Sequence, residues 1–211
     1  MFSIIRTVFG FLFLLCSIIA IKKSKVVRKH ILYFVFISLS VILVVTLAFL
    51  PIENFFITFD SPEAAYAYSH LGNSDIELIL EGDNCDLIVD CKDDTDTYWM
   101  VPKTEDGWKV GIGTDMRTIV QKLSDGISLD VYQYKNTNDY FITILNTDGG
   151  ESTILDIYNT QFYSLESYND YLKKTFVTYY AHITDFGPQY SVFVNDSTIT
   201  FGGQGDGYSV S

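Results

Sequence analysis

The feature of this sequence that most constrains its fold is a run of twenty residues without a charge, ILYFVFISLSVILVVTLAFL, at positions 31–50. At about 1.5 Å per residue, a helix of this length spans about 30 Å, the thickness of the hydrocarbon core of a bilayer. A buried helix of a soluble domain would normally carry a polar stripe. Pro51 follows at once and suits the end of a helix. We therefore predict a transmembrane helix over residues 31–50.

The first segment of the chain, residues 1–21, is also apolar apart from Arg6, Thr7 and two serines. A cleaved signal peptide carries its basic residues before the apolar run, whereas here they follow it. Cleavage after Ala20 would also require a small residue at position 18, where the chain has Ile. We therefore predict an uncleaved transmembrane helix over residues 1–21, with Arg6 close enough to its end to reach the membrane interface.

The charges predict how these helices are oriented. The loop KKSKVVRKH at 22–30 contains five Lys or Arg, whereas residues 51–91 contain none. Basic loops stay in the cytoplasm, so both termini and residues 53–211 are expected to be extracytoplasmic, in a multi-pass protein of the cell membrane. The loop could also attract anionic lipid headgroups. Residues 1–52 carry a net charge of +6 and the remainder −18, which disfavours nucleic acid as a partner.

Residues 53–211 are long enough for one domain with its own core. A juxtamembrane tether over 51–59 would place Phe55 and Phe56 at the interface. A short helix is then predicted, with Ser61 as its N-cap, Pro62 and Glu63 in its first turn, and Gly72 as its stop. The face expected to be buried comprises Ala64, Ala67, Tyr68 and Leu71.

Alternating apolar residues then predict a β-rich domain over 60–201. The predicted strands are a hairpin of 76–80 and 85–91, a strand at 108–112, a hairpin of 127–135 and 140–146, extended segments at 152–158 and 176–184, and a hairpin of 190–194 and 197–201. Residues 116–123 are compatible with helix or strand. A flexible Gly-rich tail is expected over 202–211.

The predicted fold class is therefore an N-terminal transmembrane helical hairpin plus a mostly antiparallel β (α+β) ectodomain with one N-terminal helix. The ectodomain would be a sandwich, a curved sheet or a partly closed barrel.

Catalytic signatures are missing from the sequence: there is no G-x-S-x-G, H-E-x-x-H, Walker loop or G-x-G-x-x-G. We therefore predict no catalytic or cofactor-binding residues, and we expect His70 and His182 to be ordinary polar residues. Cys85 and Cys91 would lie about 20 Å apart along one strand, which is too far for a disulfide. Both are predicted to be free thiols.

An acid-rich stretch at 83–96 offers the one candidate metal site. Asp90, Asp93, Asp94 and Asp96 crowd around a presumed strand end, where their oxygens could bind Ca²⁺. An EF-hand counted from Asp94 fails, because its sixth position is Trp99 and not Gly. The alternative interpretation is a solvated acidic face.

Two tyrosines are the candidate binding surface. Tyr132 and Tyr134 share one face of a predicted strand, where tyrosines would give wide contact with few rotamers. The alternative is that a second sheet or the helix covers that face.

The chain combines two predicted spans, a basic loop between them and the segments FDSPEAAYAYS, TEDGWKVG and YQYKNTNDYFI. In these features it resembles uncharacterised two-span membrane proteins of low-GC Gram-positive bacteria. This resemblance is one of layout over most of the chain. It implies a location in the bacterial cell envelope and carries no catalytic residues.

The leading functional hypothesis is a non-enzymatic, membrane-anchored extracytoplasmic module that binds an envelope protein, another envelope component or a cationic partner. One alternative is an extracytoplasmic hydrolase that uses paired carboxylates. Another is an accessory subunit of a membrane complex.

Overall fold

The computed structural model describes residues 4–23, 29–70, 75–92, 95–124, 126–201 and 209–210. Its helices are α1 (Ile4–Lys23), α2 (Lys29–Phe49), the 3₁₀ turn η1 (Ile52–Phe55) and α3 (Pro62–Ser69). Its strands are β1 (Ile76–Leu80), β2 (Cys85–Lys92), β3 (Thr95–Thr104), β4 (Gly107–Trp108), β5 (Met116–Ser124), β6 (Ile127–Tyr134), β7 (Tyr140–Asn146), β8 (Ile154–Asp156), β9 (Tyr163–Asn169), β10 (Lys174–Ile183), β11 (Ser191–Val194), β12 (Ser197–Thr200) and β13 (Ser209–Val210).

Helices α1 and α2 pack against each other and leave many large apolar side chains on their outer surfaces. Both predicted spans are therefore helical. Within the described residues, one helical segment, His30–Leu47 of α2, is long and apolar enough to cross a membrane by length and composition. That the two helices form a membrane hairpin stays a prediction.

Helix α3 begins where the sequence predicts and buries a different face. The Ser61 hydroxyl accepts a hydrogen bond from the Ala64 backbone N–H at 3.2 Å, as an N-cap does. The prediction that Ala64 and Ala67 face the core was wrong, because Ala65 and Tyr66 do so instead. The Tyr66 hydroxyl donates to the buried carboxylate of Asp90 at 2.6 Å, which fixes the rotation of the helix. The predicted stop lies outside the described residues.

In the described part of the chain the strands form three antiparallel sheets, as the fold class predicted, and one of them curls into a half-barrel. The first sheet has the order β1-β2-β3-β4, the central sheet β5-β6-β7-β10-β9, and the third sheet β13-β12-β11-β8. All three predicted hairpins are present, and the ambiguous segment at 116–123 is strand β5. Strands β3 and β9 were not predicted, and β4 is shorter than the strand predicted at 108–112.

The sheets stack in layers because strand residues alternate between two faces. Val131, Ile142 and Ala181 of the central sheet pack against the third sheet. The opposite face of the central sheet packs against the first sheet, with Phe141 and Tyr180 in that interface. Helix α3 covers the outer face of the first sheet. The central sheet is thus buried on both faces over most of its width.

The predicted state of the cysteines is confirmed. Cys85 is buried and Cys91 is partly buried, both lie on β2, and no disulfide joins them. Of the Gly-rich tail, the structure describes the two residues of β13, which pair with β12.

Candidate functional site: a groove around His182

The most developed polar site is a groove whose floor carries His182, near the end of β10. The His182 Nε2–H donates to Asp139 Oδ1 at 2.8 Å. Asp139 is completely buried and precedes β7. The backbone N–H groups of Asp83 and Asn84 also donate to its carboxylate, at 2.9 and 2.6 Å. The β1–β2 turn therefore wraps around the group that orients the imidazole.

The ionised carboxylate of Asp139 determines which nitrogen of His182 donates to it. Burial alone would raise the pKa of Asp139, but the hydrogen bonds from His182, Asp83 and Asn84 outweigh it and lower the pKa to about 2. An ionised carboxylate only accepts hydrogen bonds, so Nε2 is the donor, and in the tautomer that carries its proton there Nδ1 is an acceptor. Among the described residues, Nδ1 has no hydrogen-bond partner. It is available to a ligand.

A second buried carboxylate, Asp156, shapes one wall of the groove. Its Oδ1 accepts hydrogen bonds from the backbone N–H groups of Tyr158 and Thr160, at 3.0 and 2.8 Å. Its Oδ2 accepts from the Thr160 and Tyr190 hydroxyls, at 2.5 and 2.9 Å. Asn159 sits between them with φ of 55°, a left-handed conformation that Asn tolerates. Asp156 thereby sets the direction in which Tyr158 leaves the loop.

The groove consists of three adjoining hollows that share lining residues. The hollow of about 460 Å³ lies between the end of β1 and β9 and meets a smaller one of about 320 Å³ at Thr160 and His182. The smaller hollow continues through Tyr158 and Asp185 into a third, of about 470 Å³. All three are shallow and open to solvent.

Aromatic rings and short polar side chains dominate the lining. Tyr158 and Tyr163 flank His182 and expose 53% and 45% of their surfaces. Beyond Tyr158, the rings of Tyr190 and Phe186 follow at centroid distances of 5.9 and 5.6 Å. Exposed carboxylates stand at Glu81 and Asp185. None of the described residues that line the three hollows is Lys or Arg.

This site was not predicted from the sequence. His182 lies in a strand, as predicted, but was expected to be an ordinary polar residue. Asp139 lies between the two predicted strands 127–135 and 140–146, and no role was predicted for it. Strand parity carried a usable signal, because His182 faces the same way as Tyr180 and pairs with Phe141, both core residues. A histidine on a buried face needs a partner.

The acid-rich stretch does not form one cluster in the described residues. Asp90 is buried on the side of α3, where its oxygens accept from the Tyr66 hydroxyl and the Asp75 backbone N–H at 2.6 and 2.7 Å. Asp96 pairs with Cys91 on the opposite face and accepts from the Tyr180 hydroxyl at 2.9 Å. The remaining two candidates, Asp93 and Asp94, lie outside the described residues.

Three side chains of the first sheet could together hold a metal ion. One ligand atom each of Glu77, Cys91 and Asp96 lies within 4.8 Å of the others. Burial and the nearby charges of Asp96 and Asp75 raise the pKa of Glu77. Of the two predicted calcium ligands that the structure describes, Asp90 and Asp96, only Asp96 belongs to this set. Its sulfur ligand suits zinc better than calcium.

Tyr132 and Tyr134 lie between the central and first sheets, only 8% and 6% exposed. Neither side chain is available to a partner at the surface. The arrangement is the alternative stated above, in which a second sheet covers that face. The physical reason is β3, a strand that was not predicted, whose Tyr98 ring packs against Tyr132 at a centroid distance of 5.4 Å.

A buried ion pair joins the helices to the β domain. Arg6 of α1 donates from Nε and Nη2 to both carboxylate oxygens of Glu53, at 2.7 to 3.0 Å, and from Nη1 to the Leu47 carbonyl at 3.2 Å. The next residue, Asn54, exchanges two hydrogen bonds with the Val110 backbone, at 2.8 and 2.9 Å. Arg6, which we expected to reach the membrane interface, thus forms a bidentate pair with Glu53.

Comparison with known proteins finds no counterpart: no protein-family model, curated protein or solved structure matches this chain. No residue role is therefore carried over from a relative. The site is defined by its geometry alone.

Proposed function

We propose that this protein is a membrane-anchored, non-enzymatic binding module of the bacterial cell envelope, with its β domain displayed outside the cell. Two anchoring helices and an orientation set by the basic loop at 22–30 are part of the proposal. The ligand site is the groove around His182.

The outer surface of the helix pair supports the membrane anchor. Large apolar side chains such as Phe11, Phe34 and Ile42 expose most of their surface along α1 and α2. Exposed apolar area on this scale is unusual for a soluble protein and is stable in lipid. Phe55 and Phe56, exposed just after α2, suit the membrane interface.

The buried pair of Arg6 and Glu53 supports a hairpin in which both helix ends meet the β domain on one side. Arg6 is near the start of α1, and Glu53 follows the end of α2. The pair therefore ties these two ends together, and Asn54 ties them to Val110.

One observation carries the proposal for the ligand site: a buried carboxylate holds His182 with Nδ1 free, between two half-exposed tyrosines. Ligand sites combine apolar and aromatic walls with a few precisely oriented polar groups. An imidazole fixed by a buried acid is such a group, because its orientation does not have to be acquired on binding.

The test is co-sedimentation of the full chain, purified in detergent micelles, with cell-wall sacculi from a Gram-positive bacterium. We expect the wild type to pellet with the sacculi and Tyr163→Ala to remain largely in solution. Tyr168→Ala is the matched control, because Tyr168 is an equally exposed tyrosine on the same strand outside the groove. Equal pelleting of all three proteins would contradict the assignment of the groove.

A further inference from the structure

We infer that the His182 groove binds a neutral oligosaccharide chain. This inference rests on the proposed function and names the ligand class of the same site.

The form of the groove favours a chain-like ligand. The first and second hollows share Thr160 and His182, and the second and third share Tyr158 and Asp185, so the three are continuous. Each is open along its length, whereas a site for a compact small molecule encloses most of the ligand surface. A linear chain can place successive units in successive hollows.

The two flanking tyrosines suit the apolar faces of sugar rings. A pyranose ring presents a face of C–H groups, which carry partial positive charge, and the face of an aromatic ring is electron-rich. Tyr158 and Tyr163 stand on either side of His182 and are each about half exposed. The Asp156 carboxylate holds the backbone of Tyr158, which limits the entropy lost on binding.

The polar groups of the lining match hydroxyl groups. In the tautomer whose Nε2–H donates to Asp139, Nδ1 of His182 can accept one hydrogen bond from a hydroxyl group. The carboxylates of Glu81 and Asp185 each add two acceptor oxygens, and the amide of Gln161 adds one acceptor and one donor group. Adjacent hydroxyls on a sugar ring can donate hydrogen bonds to such groups and accept them.

The charge of the lining disfavours anionic polymers and favours cationic ones only weakly. Phosphate or sulfate groups would meet Glu81 and Asp185 with no Lys or Arg among the described lining residues. A cationic peptide would be attracted, but both carboxylates are exposed, and exposed ion pairs contribute little. A neutral ligand would instead contact the aromatic rings and the His182 imidazole, whose positions are held by buried carboxylates.

The test is isothermal titration of the full chain in detergent micelles with two neutral probes, the hexamers of β-1,4-linked N-acetylglucosamine and of β-1,4-linked glucose. We expect at least one of them to bind. Tyr158→Ala and Tyr163→Ala should each weaken binding about fivefold or more, the loss that marks an important contact residue. Tyr168→Ala should leave the affinity unchanged, and His182→Gln should reduce it.

Two outcomes would overturn the inference, and they are separable from failure of the proposed function. If neither hexamer binds at millimolar concentration while Tyr163-dependent binding to sacculi persists, the groove is a ligand site of another class. If hexalysine binds in a Tyr163-dependent manner and the hexamers do not, the ligand is a basic peptide. If sacculus binding is independent of Tyr163, the proposed site itself fails.

Discussion

Replacement of Asp139 by Asn tests the central polar contact of the groove through stability. Asp139 has no exposed surface and accepts hydrogen bonds from His182, Asp83 and Asn84. Its pKa falls from 3.8 to about 2 on folding, which corresponds to about 2 kcal/mol of stability at neutral pH. The amide of Asn also presents a donor where backbone donors point, so we expect Asp139→Asn to lower the free energy of unfolding by about 2–3 kcal/mol at pH 7.

The stability that Asp139 contributes should decrease as the pH falls. Because folding lowers the pKa of Asp139, its contribution is complete well above pH 3.8 and is lost as the pH falls through about 2. At pH 3 the carboxylate should supply only about half of its neutral-pH contribution. The stability gap between wild type and Asp139→Asn should therefore narrow on acidification.

The assay is urea unfolding of the full chain in micelles at pH 7 and pH 3. Intrinsic fluorescence reports on the β domain, since both tryptophans, Trp99 and Trp108, lie in the first sheet. Asp170→Asn is the control, because Asp170 is exposed, and its contact with Lys173 should contribute little. A loss below 0.5 kcal/mol at pH 7, or a gap that does not change with pH, would refute the role given to Asp139.

Three further predictions concern other parts of the molecule. Arg6→Gln should destabilise the full chain by about 3–5 kcal/mol in thermal denaturation, because it leaves the Glu53 carboxylate buried without its guanidinium, and adding Glu53→Gln should recover part of the loss. Denaturing alkylation without reductant, followed by mass spectrometry, should modify both Cys85 and Cys91, and a peptide with a bridge between them would disprove the strand geometry. Calcium should raise the melting temperature no more than NaCl of equal ionic strength, and a calcium-specific rise would place a metal site in the stretch 83–96.

The hairpins and the start of α3 could be predicted because residues close together in the sequence determine them. Alternation and turn residues fix β1 with β2 and β6 with β7, and Ser61 caps α3 through its own side chain. The missed strands lack such signals. Strand β3 begins among acids and contains Pro102, and β9 is an edge strand with exposed residues on both faces. Their strand conformation depends on partners distant in sequence.

The acidic composition was the most misleading property. Asp86 and Asp90 alternate with apolar residues and so predict a solvated face, yet both are buried on the side of α3. The Asp86 carboxylate accepts a hydrogen bond from the Trp108 indole N–H at 2.5 Å. The buried carboxylates of Asp139 and Asp156 likewise accept hydrogen bonds, in their case from backbone N–H groups of turns. These contacts join residues up to 56 positions apart. Sequence spacing alone gives no indication of them.

Our central claim is that the β domain is displayed outside the cell membrane. Measuring the topology of the chain in intact cells tests this claim most directly. In a chain with its three native cysteines replaced, single cysteines are placed at Ser24 and Ser197 and exposed to a membrane-impermeant thiol reagent. Our account predicts labelling at position 197 and none at position 24, since the loop at 22–30 is proposed to be cytoplasmic. Labelling at position 24 with protection at position 197 would contradict it.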